Sequence, residues 1–140
     1  MTRSQVTQEI KTILEDINLA WQENRLQDLR KHFHDHMVLV APDFEVRFEG
    51  AEACVGSYSD FIRQATVEQF KNSDLQVDLC GETVIASYRF EIGYKLEEES
   101  HRDCGRDIFI FNREKDQWKA IWRTMVMGQE PVVEVTRLPS

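Results

Sequence analysis

Residues 105–125 read G-R-D-I-F-I-F-N-R-E-K-D-Q-W-K-A-I-W-R-T-M, with aromatic residues at even spacings on both sides of the polar stretch 113–116. Even spacing places side chains on one face of a β-strand, and the polar break indicates a hairpin turn. The same period extends back to Thr66, and a change of parity at Phe70 predicts a bulge near residues 72–74. Four antiparallel strands forming a meander are therefore predicted near residues 66–80, 82–95, 103–112 and 117–127.

The part of the chain before this meander has a helical period. Val6, Ile10, Leu14, Ile17 and Trp21 recur at spacings of three and four, which predicts an amphipathic helix from about Ser4 to Gln22. Similar spacings predict a short second helix containing Leu26, Leu29 and Phe33, and a third helix running from Cys54 to Ala65. Between these two helices, residues 37–41 are strand-like, and the turn Pro42–Asp43 with residues 44–48 predicts a small hairpin. The fold class is α+β, with three N-terminal helices packed in a curved antiparallel sheet.

Length, composition and charge exclude several classes of protein. The chain has 140 residues, 41% of them hydrophobic, and contains six glycines and three prolines, so we expect one core without a linker. Its net charge of −8 repels phosphate backbones and anionic lipids, and we expect no nucleic-acid or membrane partner. The charged N-terminus does not resemble a secretory signal, which favours a cytoplasmic protein. Cys54, Cys80 and Cys104 are odd in number and lack C-x-x-C spacing, so we expect reduced packing residues.

Antiparallel pairing sorts the strand residues into two faces. A four-residue loop at 113–116 would set Asp107 opposite Trp122 and Phe111 opposite Trp118. Asp107 is then the one carboxylate on the apolar face, which we expect to line the interior. This predicted inner wall comprises Leu75, Val77, Leu79, Val84, Ala86, Tyr88, Phe90, Ile92, Phe109, Phe111, Trp118 and Trp122.

A carboxylate in an apolar wall is costly unless it is protonated or hydrogen-bonded, so Asp107 is the predicted catalytic residue. In the functional interpretation its raised pKa lets it orient or protonate a ligand. In the structural interpretation it accepts hydrogen bonds from neighbouring side chains and fixes the mouth of the interior. Aromatic residues around one acid suit a ligand pocket. The predicted ligand-binding residues are Trp21, Tyr58, Tyr88 and Trp122.

The order of elements and several motifs resemble the nuclear transport factor 2-like superfamily, in its SnoaL-like and ketosteroid-isomerase-like branch. The motifs are A-W-Q-E-N-R-L-Q-D-L-R-K-H-F (20–33), G-E-T-V-I-A-S-Y (81–88), G-R-D-I-F-I-F (105–111) and D-Q-W-K-A-I-W-R-T-M (116–125), with a glycine-led third helix from Gly50. The resemblance implies a cone-shaped fold over residues 1–128, and we expect residues 129–140 to form an extended tail. Because this fold hosts enzymes and noncatalytic adaptors, it does not specify an activity.

The resemblance also allows a residue-by-residue comparison with the isomerase-like members. Their general-base aspartate falls on Ala41, and their first-helix tyrosine falls near Ile17 or Asn18, so both groups are missing. The acid of their oxyanion hole falls on Asp107. The Asp-Arg-Asp set of epoxide hydrolases with this fold cannot be assembled from Arg106 and Asp107, because neighbouring strand residues face opposite sides.

The segment H-F-H-D-H (32–36) is the strongest metal-like motif, but no third ligand at fixed geometry follows from the sequence. We therefore predict no metal site, and no motif calls for a cofactor. The favoured function is binding of a small, largely apolar molecule, with lyase or isomerase turnover as the possible chemistry. The alternative is a noncatalytic dimeric scaffold whose interior is filled by its own aromatic residues. In either case we expect a homodimer formed through the outer sheet face around Arg89, Glu91, Arg106, Ile108, Ile110, Ile121 and Arg123.

Overall fold

The computed structural model describes residues 2–128, in which three helices precede and pack against a curved six-stranded sheet. The predicted α+β class is confirmed. The tail predicted for residues 129–140 lies outside the described residues. The helices are α1 (Arg3–Gln22), α2 (Leu26–Arg30) and α3 (Ala51–Gln64), and the strands are β1 (Phe33–Val40), β2 (Arg47–Glu49), β3 (Ala65–Cys80), β4 (Thr83–Leu96), β5 (Glu99–Glu114) and β6 (Gln117–Met127).

Helix α1 forms as the apolar spacing predicts. Its N-terminus has a capping box, in which the Thr2 hydroxyl accepts a hydrogen bond from the Gln5 backbone and the Gln5 side chain accepts one from the Thr2 backbone. Its buried stripe, which includes Ile10, Ile17 and Trp21, faces the sheet and forms part of the main core.

The strand order is β2-β1-β6-β5-β4-β3. The predicted antiparallel meander is confirmed for β3 to β6, including a register irregularity between Ser73 and Gln76 close to the predicted bulge. Strand β1 pairs in parallel with β6, a long-range pairing that the sequence pattern does not predict. Phe33, expected in the second helix, is the first residue of β1.

The predicted register between β5 and β6 is wrong. The turn contains two residues, Lys115 and Asp116, and both have left-handed φ angles (48° and 63°), as in the type I′ turns that suit hairpins. A bulge next to Ile110 then shifts the register once more. As a result Trp122 pairs with Ile110 and Arg123 pairs with Phe109.

This shift exchanges the faces of two residues. Trp122 lies on the outer face of the sheet, whereas Arg123, predicted on the outer face, is buried inside. The remaining inner-wall residues are placed as predicted, either buried in the core or packed against it. No helix among residues 2–128 is long and apolar enough to cross a membrane.

Candidate functional site

A cavity of about 330 Å³ lies between the helices and the inner face of the sheet. Its lining is largely apolar, and its charged members are Asp103, Asp107 and Arg123 in the described part of the chain. The sequence predicts Asp107 as the one carboxylate on this wall, but Asp103 lines the cavity as well. The main apolar lining residues are Trp21, Leu39, Phe48, Phe61, Phe70, Phe90, Ile92, Met125 and Met127.

Asp107 and Arg123 form a two-pronged ion pair at the buried end of the cavity. Arg123 Nε donates to Asp107 Oδ1 at 2.7 Å, and Arg123 Nη2 donates to Asp107 Oδ2 at 2.8 Å. Asp107 is 4% exposed and Arg123 is 9% exposed. This bidentate geometry is the one in which an arginine binds a carboxylate most strongly and with a defined orientation.

A hydrogen-bond network links this pair to helix α1. Tyr88 Oη donates to Asp107 Oδ2 at 2.9 Å, and Asn18 Nδ2 donates to Tyr88 Oη at 3.1 Å. Trp21 Nε1 donates to Asn18 Oδ1 at 3.0 Å. The network joins α1, β4, β5 and β6 and holds the guanidinium of Arg123 in one orientation.

The network keeps its groups in defined protonation states. Burial lowers the pKa of Arg123, but the charge and hydrogen bonds of Asp107, together with Tyr58 and Tyr88, outweigh this effect, and the pKa is raised above its ordinary value. Burial, followed by the nearby Asp107 charge, raises the pKa of Tyr88. Arg123 is therefore a cation and Tyr88 a neutral hydrogen-bond donor at neutral pH.

Two polar groups keep unused hydrogen-bonding capacity toward the cavity. Neither Tyr58 Oη nor Arg123 Nη1 bonds to another described residue, yet residues 2–128 contain no fully buried side-chain polar atom that lacks a partner. Both atoms must therefore be reachable from the cavity that their residues line. The Arg123 guanidinium carbon lies over the Tyr58 ring, 5.1 Å from its centre, so the two side chains adjoin each other. Burial raises the pKa of Tyr58, which keeps its hydroxyl protonated.

The mouth of the cavity contains a second carboxylate. Asp103 is half-buried and its Oδ2 accepts a hydrogen bond from Tyr94 Oη at 2.7 Å. Burial and this hydrogen bond raise the pKa of Tyr94 to about 12, so Tyr94 is the donor and Asp103 the acceptor. Met127, 44% exposed, also lines this end and marks the opening to solvent.

Four of the five predicted site residues lie together in the structure, and one is separated from them. Asp107, Trp21 and Tyr58 line the cavity. Tyr88 contacts Asp107 from behind and lines a separate cavity between α1 and β3, and Trp122 lies outside, on the opposite face of the sheet.

Sequence reasoning missed Arg123 and Asn18 as members of the site. The sequence contains a signal for Asn18, because this polar residue lies on the otherwise apolar, buried face of helix α1. Arg123 carries none, because its inward orientation depends on the bulge in β6.

Each of the three clustered histidines has a different partner. His32 Nε2 lies 2.6 Å from Asp16, His34 Nε2 lies 3.1 Å from Glu114, and the His36 backbone donates to His34 Nδ1. Within residues 2–128, no group of three or more metal-ligating side chains converges. The prediction that these histidines hold no functional metal remains to be tested in solution.

Comparison with known proteins agrees with this architecture. The model of a family described as a SnoaL-like domain matches residues 10–123. No curated protein matches the sequence significantly.

Many solved structures share the fold. A nuclear transport factor 2-like protein from Cytophaga hutchinsonii is 20% identical, with a TM-score of 0.74, covering 91% of this chain and 99% of that one. A candidate dehydratase of the same fold family from Streptomyces avermitilis is 15% identical, with a TM-score of 0.78 and coverage of 91% and 99%. A ketosteroid isomerase-like protein from Erwinia carotovora atroseptica is 10% identical, with a TM-score of 0.71 and coverage of 84% and 92%. At these identities the similarity shows the fold.

Proposed function

Because the chain belongs to the SnoaL-like domain family, whose model spans residues 10–123, we propose that it binds a small, largely apolar molecule between its helices and its sheet. The observation that carries the proposal is the cavity of about 330 Å³ with Tyr58 Oη and Arg123 Nη1 directed into it. Ligand sites in proteins are mostly apolar clefts of roughly 300–1,000 Å³ with a few convergent polar groups. The alternative scaffold function, in contrast, requires an interior filled by its own side chains.

The polar groups at the buried end favour a ligand oxygen. Tyr58 Oη and Arg123 Nη1 both donate hydrogen bonds, and the charge of Arg123 is balanced by Asp107 at 2.7 Å. A neutral acceptor such as a carbonyl or hydroxyl oxygen therefore fits this end of the cavity. In this proposal Asp107 is a positioning residue that acts through Arg123, instead of the free acid expected from the sequence.

Lyase or isomerase chemistry is the second candidate function. Two protonated donors on adjoining side chains of a largely apolar site can stabilise negative charge that develops on a carbonyl oxygen. Two of the structural relatives are named a ketosteroid isomerase-like protein and a candidate dehydratase.

A direct test of catalysis is exchange of the methyl protons of 4-acetylbiphenyl in D₂O, followed by NMR. Exchange that the protein accelerates and Tyr58→Phe slows would support catalysis, and exchange at the buffer rate would exclude it for this ketone.

Binding is tested with the neutral fluorescent probe N-phenyl-1-naphthylamine. We expect a saturable increase in fluorescence with one site per chain, and loss of this signal in Met125→Trp, which fills the cavity with a larger side chain. Val126→Trp is the matched control, because Val126 is 57% exposed and does not line the cavity. Equal binding by both variants, or none by the wild type, would contradict the proposal.

The contribution of Tyr58 is measured with a matched pair of ligands. Loss of one hydrogen bond costs on the order of 1 kcal/mol, so Tyr58→Phe should raise the dissociation constant of 4-acetylbiphenyl about fivefold. The affinity for 4-ethylbiphenyl, which lacks the oxygen, should change little. A similar change for both ligands would show that Tyr58 acts through packing alone.

A further inference from the structure

The two ends of the cavity differ in charge. The buried end contains the balanced pair Asp107 and Arg123, whereas Asp103 at the mouth forms no ion pair with another described residue. The described lining therefore carries a net charge of −1. Tyr94 donates to Oδ2 of Asp103. The other carboxylate oxygen, Oδ1, has no hydrogen-bond partner in the described part of the chain.

The end of the β4–β5 hairpin, residues 95–102, adds to this negative charge, because three glutamates, Glu97, Glu98 and Glu99, outnumber its two cations, Lys95 and Arg102. Asp103 lies on β5 four residues after Glu99, and the tip of the β4–β5 hairpin consists of Glu97 and Glu98. The whole chain has a net charge of −8. A cleft with charges of one sign concentrates ligands of the opposite sign.

Aromatic rings stand beside Asp103. Phe61 and Tyr94 both line the cavity, and their ring centres lie 5.3 Å apart in an edge-to-face arrangement. Aromatic faces next to a carboxylate attract an organic cation, because the ring quadrupole and the charge act in the same direction.

The spacing of the two ends sets the length of a complementary molecule. Asp103 and Asp107 are four residues apart on one strand, so their Cα atoms are separated by on the order of 13 Å at about 3.3 Å per residue. An elongated ligand can therefore reach both ends at once.

From these observations we propose that the cavity selects an elongated apolar amine, with its protonated nitrogen at Asp103 and a neutral oxygen at Tyr58 and Arg123. This inference rests on the proposed function and adds the charge and polarity of the ligand. It also assigns a role to the Glu97–Glu99 run, which attracts the cation toward the mouth. An organic acid of the same shape is disfavoured, because its carboxylate would face Asp103.

The test uses three probes with one skeleton, namely 4-acetylbiphenyl carrying aminomethyl, hydroxymethyl or carboxylate at the 4′ position, each titrated by calorimetry. At a partly solvated site a single charge pair changes affinity by about tenfold. We therefore expect the dissociation constant to be lowest for the amine, higher for the alcohol and highest for the carboxylate. Each step should be roughly tenfold. Asp103→Asn should bring the three constants within about twofold of each other, since the amide still accepts from Tyr94. Glu82→Gln removes the same charge from an exposed side chain in the turn between β3 and β4, at the other end of β4 from Asp103, and should preserve the order.

The outcomes separate this inference from the proposed function. Binding of all three probes by the wild type with equal affinity, or a preference for the carboxylate, overturns the amine selectivity and leaves small-molecule binding intact. A preference that survives Asp103→Asn overturns the role of Asp103. Failure of all three probes, together with N-phenyl-1-naphthylamine, to bind overturns both proposals.

Discussion

The Asp107–Arg123 ion pair is the most consequential contact between side chains in the cavity. Both residues are nearly inaccessible to solvent. Two guanidinium nitrogens of Arg123 lie 2.7 and 2.8 Å from the two carboxylate oxygens of Asp107. Removal of one partner of such a pair leaves an uncompensated buried charge, which is far more costly than replacing both partners with apolar residues. The pair therefore fixes the orientation of the Arg123 guanidinium and makes the stability of the fold depend on both residues.

We expect Asp107→Asn to lower the free energy of unfolding by about 3 kcal/mol, because Arg123 then lacks a counter-charge. The double variant Asp107→Leu/Arg123→Met should recover most of this loss. Urea unfolding monitored by circular dichroism measures both values. Wild-type stability in Asp107→Asn would show that Arg123 finds another partner and that the pair does not hold it in place.

The buried thiol of Cys54 predicts an alkaline loss of stability. Cys54 is 0% exposed, and burial raises its pKa to about 11. An unfolded cysteine loses its proton near pH 8.5, so between about pH 8.5 and 11 the folded state binds more protons and stability falls as pH rises. Tyr58 and Tyr88, whose pKa values burial also raises, contribute in the same direction above about pH 10.

The measurement is the urea midpoint from pH 8 to pH 11. Cys54→Ala should show a shallower decline than the wild type, whereas Cys80→Ala, which removes an exposed thiol, should follow the wild-type curve. A wild-type slope in Cys54→Ala would refute the assignment of the effect to this thiol.

Strands β5 and β6 approach each other closely at Gly105. A Cβ atom at this position would lie 2.3 Å from the Val126 carbonyl oxygen and 3.0 Å from the Met127 Cα, both of which are backbone atoms. The end of β6 can approach β5 this closely because residue 105 has no side chain. This approach helps to place Met127 at the mouth of the cavity.

Gly105→Ala should therefore destabilise the protein by about 2 kcal/mol, since the backbone of β6 must move to relieve the overlap. Gly56→Ala is the matched control. Gly56 lies inside helix α3 with open space around it, so alanine there should stabilise the protein by roughly 0.5–1 kcal/mol through its higher helix propensity. Thermal and urea unfolding distinguish these opposite signs, and an unchanged Gly105→Ala protein would contradict the close approach.

The outer face of the sheet is the surface through which we predict that the molecule forms a homodimer. Ile85, which is 45% exposed, pairs with Ile110, and Ile110 pairs with Trp122 across three neighbouring strands. The register shift thus adds Trp122 to this predicted interface and removes Arg123 from it. A continuous apolar stripe suits the core of a self-complementary interface better than the charged pattern expected from the sequence.

Light scattering at micromolar concentration should give the mass of two chains for the wild type and of one chain for Ile108→Asp. Leu19→Asp is the control, because Leu19 is an exposed apolar residue, 53% accessible, on helix α1. A monomeric wild type, or an Ile108→Asp protein that remains dimeric, would refute this interface.

The elements of this protein follow from local patterns in its sequence. The apolar stripe of α1 and the even spacing in β3 to β6 determine which segments are helical and which are extended, since burial of one face requires that period. The faces of β4 and of β5 as far as Phe111 follow for the same reason, and so does the inward orientation of Asp107. These features depend on residues close together in the chain.

The partner of Asp107 depends on the tertiary structure. The two-residue turn at Lys115 shifts the register by two residues and leaves the faces unchanged. The bulge opposite Ile110 reverses the faces of Trp122 and Arg123, because one extra residue moves every later side chain to the other side of a strand. The parallel pairing of β1 with β6, and the space left between α1 and the sheet, likewise arise from contacts between distant segments. The even spacing of apolar residues in the sequence continues unbroken through the bulge, so the sequence pattern does not reveal it. Strand packing therefore sets the inward orientation of Arg123.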